Sequence, residues 1–316
     1  MNFKWSDLKK PVFVLAPMAN ITTLPFRSIC KEFGADIVFT PMLSSNAIVY
    51  NPNETYKIGE FLPEERPVIV QIFGYDGEII AKAANMVQEK LNPAGIDINM
   101  GCPAPKITGN ECGSGLLRDY DKALEILKTV RENYGGQLSV KIRLGWREYD
   151  VLPFLKQLEE IGIDAITIHG RTTKQGYSGE ADWTKINEIA AELTIPVIGN
   201  GDITNWEDAI SKLNNSNLAG VMIGRGALEK PWIFQEIKEK REIDYSPAQL
   251  ADLIEKQAIL AIKYLDNEKL AIIEMRKFFG WYLKGFPYAK ALRTPMMQIE
   301  SMNELNLYLD KLRESK

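Results

Sequence analysis

Cys102 sits in the run Asn99-Met100-Gly101-Cys102-Pro103, where the flanking glycine and proline favour a turn that exposes the side chain. A thiol near its ordinary pKa of about 8.5 is mostly protonated at neutral pH and can donate a proton. Cys30 falls in a helical pattern within Phe26–Phe33 and reads as packing, and Cys112 lies in a glycine-flanked loop. The spacing of Cys102 and Cys112 matches no zinc signature. Gln71 can hydrogen-bond a heterocycle, and Lys141 can contact an anionic ring or a phosphate, or simply snorkel to solvent. His169, the only histidine, precedes Gly170-Arg171-Thr172 and is read either as structural or as a ligand contact.

Two glycine-rich segments point to a phosphate. They are Gly199-Asn200-Gly201-Asp202 and Gly224-Arg225-Gly226. Glycine lets the backbone approach an anion closely, and an arginine adds a charge-assisted contact. The pattern implies a phosphorylated ligand without saying which.

These residues recur at the ends of short apolar, β-branched runs. The runs are Val12–Ala16, Ile37–Thr40, Val68–Ile72, Ile96–Asn99, Ser139–Ile142, Ala165–Ile168, Pro196–Gly199 and Gly220–Ile223. Such runs suit parallel strands buried on both faces. Helical patterns intervene, among them Gly77–Leu91, Asp119–Tyr134 with Gly135-Gly136 suited to its C-terminal cap, and Trp183–Leu193. Thr204 is placed to cap a helix starting at Asn205. Eight strand–helix alternations favour an α/β fold of the (β/α)₈ TIM-barrel type, whose chemistry lies at the C-terminal strand ends. An open doubly wound sheet has the same alternation.

After about Ile243 the strand pattern stops. Helices are expected from Ser246-Pro247 to Asp266, at Glu268–Leu283, at Tyr288–Gln298 and at Met302–Glu314. The expected division is a catalytic barrel over residues 1–243 and a small helical bundle over 244–316. The net charge of −4 does not favour a polyanionic partner, yet the window from Met275 to Gln298 contains Arg276, Lys277, Lys284, Lys290 and Arg293 and no acid. Three cysteines are too few for a disulfide framework, no run is long enough to span a bilayer, and the N-terminus lacks a signal-peptide core. The expectation is a cytoplasmic monomer with no membrane association and no metal.

At the motif level the chain resembles the tRNA-dihydrouridine synthase (Dus) family. The resemblance rests on Asn99-Met100-Gly101-Cys102-Pro103-Ala104-Pro105-Lys106, Gly113-Ser114-Gly115-Leu116-Leu117, Ala16-Pro17-Met18-Ala19 and Pro25-Phe26-Arg27. It extends to Val140-Lys141-Ile142-Arg143-Leu144-Gly145-Trp146, His169-Gly170-Arg171-Thr172, and the two glycine-rich segments. The tail, from Arg276-Lys277 through Trp281-Tyr282 to Arg293, looks like the bacterial DusB branch. The resemblance implies an FMN-binding barrel with a helical RNA-binding domain, acting on tRNA with NADPH as transient reductant. It also implies that Pro17, Met18, Ala19, Gln71, Lys141, His169, Asn200, Gly201, Asp202, Gly224 and Arg225 meet FMN. Cys102 would donate the proton, and Asn99, Lys106, Arg171 and Tyr177 would meet the target uridine or its neighbours. The basic tail residues would hold RNA phosphates. No Gly-x-Gly-x-x-Gly fingerprint is present, which agrees with transient nucleotide binding. The sequence leaves open rRNA as substrate, a flavin barrel acting on a small pyrimidine such as dihydroorotate, and a non-catalytic RNA-binding protein.

Overall fold

The structure is a computed structural model that describes residues 3–285 and 289–315, with the side chains of residues 289 and 290 outside the description. Among the described residues, nine strands follow one another along the chain. They are β1 (Val12–Leu15), β2 (Ile37–Phe39), β3 (Leu43–Ser44), β4 (Val68–Phe73), β5 (Gly95–Met100), β6 (Leu138–Arg143), β7 (Ala165–His169), β8 (Val197–Asn200) and β9 (Gly220–Ile223). All pairings are parallel. The sheet runs β2-β1-β9-β8-β7-β6-β5-β4, and the β2–β4 pairing closes it into a ring of eight. This is the expected TIM barrel. β3 extends only the C-terminal end of β4, with Leu43 opposite Ile72 and Ser44 opposite Phe73. Two residues carry no readable periodicity, so this strand has no sequence signal.

The barrel interior divides into two parts. An apolar part is formed by Val12, Val14, Ala16, Ile37, Phe39, Ile69, Ile198 and Met222, with Trp5 in the same cluster. A polar part lies on β4, β5 and β6, where Gln71, Asp97 and Ser139 occupy one register row and Asn99 stands beside Lys141 in the next. Burying polar groups is tolerable only when they are hydrogen-bonded, and this row satisfies itself, as described below.

The outer faces of β4–β8 pack under helices such as Gly77–Leu91 and Tyr120–Asn133. Two expected caps are corrected. The Tyr120–Asn133 helix does not end on a left-handed glycine: its C-cap Tyr134 is extended, and the Arg131 guanidinium folds back to bind the Tyr134 and Gly136 carbonyls just beyond the helix. The helix after β8 spans Trp206–Leu213 and is capped by Asn205, whose side chain accepts from the Asp208 amide at 2.7 Å. Thr204 instead binds the Asp208 carboxylate.

The tail forms the helices Pro247–Leu265, Glu268–Tyr282, Ala289–Met296 and Met302–Glu314. Ser246 with Gln249, and Ser301 with Glu304, form capping boxes that start the first and last of these. The tail shares a core with one flank of the barrel, where Phe26 of the Leu24–Glu32 helix meets Phe278 with ring centroids 5.2 Å apart. Among the described residues no helix is long and apolar enough to cross a membrane.

Candidate active site

A cavity of about 970 Å³ opens at the C-terminal ends of the strands. Pro17, Met18, Ala19, Gln71, Asn99, Cys102, Lys141, His169, Tyr177, Asn200, Gly201, Asp202, Gly224, Arg225 and Lys284 all line it. The remaining residues singled out from the sequence lie elsewhere. Lys106 is exposed on the short Pro105–Thr108 helix. Arg171 is buried beneath the cavity wall, and Arg276 is turned onto the Gln298 and Ile299 carbonyls. Lys277 donates to the Asn20 carbonyl at 2.6 Å and pairs with Glu274. Arg293 is exposed on the Ala289–Met296 helix, and the side chain of Lys290 lies outside the described residues.

Asn200, at the end of β8, organises the floor. Its Oδ1 accepts from Lys141 Nζ at 3.1 Å and faces His169 Nδ1 at 2.9 Å, while its Nδ2 donates to the Met222 carbonyl at 2.8 Å. Lys141 points into the cavity yet is enclosed by protein. That desolvation, with Arg143 nearby, pushes its pKa down to about 8. His169 is buried among Lys141, Arg143 and Arg171. Burial, then these positive neighbours, push its pKa down to about 3, so it is neutral at physiological pH.

The loop carrying Cys102 hangs from a chain of hydrogen bonds that begins inside the barrel. Asp97 accepts from Ser139 Oγ at 2.7 Å and from Gln71 Nε2 at 2.7 Å. Gln71 Oε1 accepts from Asn99 Nδ2 at 2.7 Å, and Asn99 Oδ1 accepts from the amides of Gly101 (3.2 Å) and Cys102 (3.0 Å). On the far side, Ser114 donates its hydroxyl to the Cys102 carbonyl at 2.9 Å. Arg143 Nε donates to the Gly101 carbonyl at 2.7 Å and Nη1 to the Gly176 carbonyl at 2.8 Å, placing a second cation beside the thiol. Cys102 is partly exposed, whereas Cys30 and Cys112 are buried.

The opposite wall is the turn after β1. Thr22 Oγ1 accepts from the Met18 amide at 3.0 Å, and the Thr22 carbonyl accepts from Arg27 at 2.7 Å. Arg27 is fully buried and paired with Glu65 at 2.8 Å, so an internal ion pair anchors the turn. Beyond β8, Gly201 adopts φ +134° and a Cβ there would lie 2.6 Å from the Ala181 Cβ. At Gly226 a Cβ would lie 2.2 Å from the Ile203 carbonyl, so only glycine fits. Asp202 adopts φ +49°, a left-handed value that costs a non-glycine residue energy. Its carboxylate offsets that cost by accepting from the Ala181 amide (2.8 Å) and Arg171 (2.6 Å), and it also holds Arg225 at 3.4 Å.

In the sequence Asp97 is hidden within an apolar run, and Arg143 stands in a motif that assigns it no role. The alternation that puts Asn99 and Lys141 inside the barrel also puts Asp97, Ser139 and Arg143 inside, two residues away on the same face. That spacing is the signal that would have found them.

The family model described as "Dihydrouridine synthase (Dus)" matches residues 14–315. A probable tRNA-dihydrouridine synthase of Aquifex aeolicus is 36% identical over 317 residues, covering 99% of this chain and 98% of that protein. The tRNA-dihydrouridine synthase B of Pseudomonas putida is 38% identical over 295 residues, covering 91% and 87%. Among solved structures, histamine dehydrogenase from Rhizobium sp. 4-9 aligns with a TM-score of 0.58 at 13% identity, covering 79% of this chain and 49% of that one. A 2-naphthoyl-CoA reductase in complex with 2-naphthoyl-CoA aligns at 0.54 and 12% identity, covering 75% and 53%. These two share the fold alone. With a family match across nearly the whole chain and relatives this similar end to end, the chain belongs to the dihydrouridine synthase family.

Proposed function

We propose that this protein binds FMN in the cavity and, with NADPH as reductant, reduces specific uridines of tRNA to 5,6-dihydrouridine. The observation that carries the reading is that one cavity, in a chain of this family, gathers the Cys102 thiol, the Lys141 cation and the glycine and arginine edge after β8 and β9. The donor set suits FMN. Its size lies within the roughly 300–1,000 Å³ of ligand clefts. Lys141 and Gln71 face the space a heterocycle would fill, and Gly201, Gly224 and Arg225 form an edge suited to a phosphate.

When bound and reduced, FMN supplies the hydride that reaches C6 of the uracil. The residues of this chain do the rest. Cys102 gives its proton to C5, completing the addition of two hydrogens across the double bond. The thiolate left behind faces two cations, Lys141 and Arg143. His169 is not a competing acid, because its ring is neutral and hydrogen-bonded to Asn200. Met18 and Lys141, which both line the cavity, would hold and orient the flavin ring. The uridine must leave its stack to reach this depth, at a cost of a few kcal/mol that is smallest in loops. The helices from residue 244 onward, with Lys284 at the mouth, hold the surrounding phosphates of a tRNA recognised largely by shape. The protein acts as a monomer in the cytoplasm.

The test is direct. Purified protein is checked for bound FMN, reduced with NADPH, and incubated with unmodified tRNA, rRNA or free pyrimidines. Mass spectrometry should show a two-hydrogen gain at defined uridines of tRNA. No gain in tRNA, with turnover of rRNA or of a free pyrimidine instead, would reject the reading.

A further inference from the structure

Much of the barrel interior is apolar, as at Ile69 and Ile198, yet β5 places a carboxylate inside it, in one register row with Gln71 and Ser139. Asp97 is fully buried, and burying a carboxylate is costly even where hydrogen bonds offset part of the loss. It sits between Ser139 and Gln71, at the inner end of the hydrogen-bond chain that reaches the Cys102 loop.

The direction of that chain follows from Asp97. An ionised carboxylate can only accept. Gln71 must therefore turn its NH₂ group toward Asp97, which leaves its carbonyl oxygen facing Asn99. Asn99 must answer with its own NH₂, which leaves Asn99 Oδ1 facing the backbone N–H groups of Gly101 and Cys102. A carboxamide reversed end for end has nearly the same shape, so packing does not choose between the two orientations. Reversed, Asn99 would aim N–H at N–H and release the loop. We propose that Asp97 is a positioning residue whose carboxylate fixes the polarity of the Gln71–Asn99 relay and so holds the Cys102 thiol in place over the cavity. The consequence for turnover rests on Cys102 being the proton donor, while the geometric claim does not.

Alkylation of Cys102 by iodoacetamide, followed peptide by peptide by mass spectrometry, reads the loop without reference to RNA, with the buried Cys30 and Cys112 as internal references. In Asp97→Asn the inner end of the relay no longer dictates its direction, and only the loop amides oppose reversal. Cys102 alkylation should rise several-fold, and dihydrouridine formation should fall about 100-fold, as expected for a displaced reacting group. The swapped pair Asp97→Asn/Gln71→Glu moves the carboxylate one link along. It can again only accept, from position 97 on one side and from Asn99 on the other, so Asn99 regains its orientation and alkylation should return to the parental rate. Only alkylation is scored for the pair, because position 71 faces the cofactor cavity. Parental alkylation in Asp97→Asn would overturn the proposal. So would a swapped pair that is unfolded or remains as reactive as Asp97→Asn. If Asp97→Asn itself does not fold, the swapped pair still decides, since it keeps one buried carboxylate and the same number of hydrogen bonds. If the parent protein forms no dihydrouridine, the proposed function fails and the alkylation comparison still stands.

Discussion

His169 Nδ1 lies 2.9 Å from Asn200 Oδ1, an oxygen that can only accept, so the imidazole carries its proton on Nδ1 and leaves Nε2 bare. Arg171 faces that bare nitrogen at 3.5 Å, and Lys141 shares the same Asn200 oxygen. The folded protein therefore keeps this ring neutral down to about pH 3. As the chain has one histidine, its imidazole resonance is unique. NMR at pH 5 should find it in the neutral, Nδ1-protonated form, and an imidazolium signal there would refute the assignment.

The same ring leaves a signature in stability. In the unfolded chain it titrates near 6.5. Between that value and about 3 the unfolded chain binds a proton that the folded chain refuses. Stability from this group is therefore complete above pH 6.5 and lost as pH falls, at about 1.4 kcal/mol per pH unit. Urea unfolding at pH 7 and pH 5 should show a decline in the parent about 2 kcal/mol larger than in His169→Asn. Equal declines would show that the imidazole is not held neutral.

Cys102→Ala should retain the fold, bound FMN and its reduction by NADPH, while losing dihydrouridine formation by about 100-fold or more, the usual scale of a missing general acid. Stopped-flow reduction separates the two steps from tRNA turnover. Undiminished turnover would remove Cys102 from the reaction.

At the mouth, Lys284 is tied to Glu229 at 2.6 Å, and both side chains are largely exposed. A phosphate must compete with that carboxylate. Glu229→Gln should tighten tRNA binding and steepen the salt dependence of log K by close to one contact, a slope change of about 0.7–0.9. Lys284→Ala should weaken binding and flatten the slope by a similar amount. Salt titrations indistinguishable from the parent in both variants would place the RNA on another surface.

The Arg27–Glu65 pair joins the turn after β1 to the loop before β4 from within the core. Arg27→Met strands the Glu65 carboxylate and should cost about 3–5 kcal/mol in chemical denaturation. Adding Glu65→Gln should recover part of the loss by removing the orphaned charge. Because the Thr22 carbonyl loses its donor in both variants, FMN retention should stay low even where stability returns. Full retention in both would show that the turn does not need Arg27.

The strands were legible because parallel strands covered on both faces demand near-continuous apolar, β-branched runs, as at Val68–Val70. The cavity residues were legible because polar groups at strand ends stood out against those runs. Caps were less so. Asn205 and Thr204 are both competent, and only the backbone decides which faces the open amides. Arg171 was a contact residue only by what the family resemblance implied, and its side chain turns under the wall to Asp202, a partner 31 residues away. Lys106 and Arg276 were chosen by charge and motif, neither of which says where a long side chain points. Asp97 was hidden by its neighbours, since one acid between isoleucines hardly changes the apolar character of a strand.

Leu250, Phe278, Leu305 and Leu309 belong to the same apolar cluster as Phe13, Phe26 and Val221. One flank of the ring is thus finished by chain made long after the ring itself. During synthesis, the oily side of the Leu24–Glu32 helix stays bare until the final helices emerge from the ribosome, and a protein trimmed before them would carry that surface as an adhesive patch.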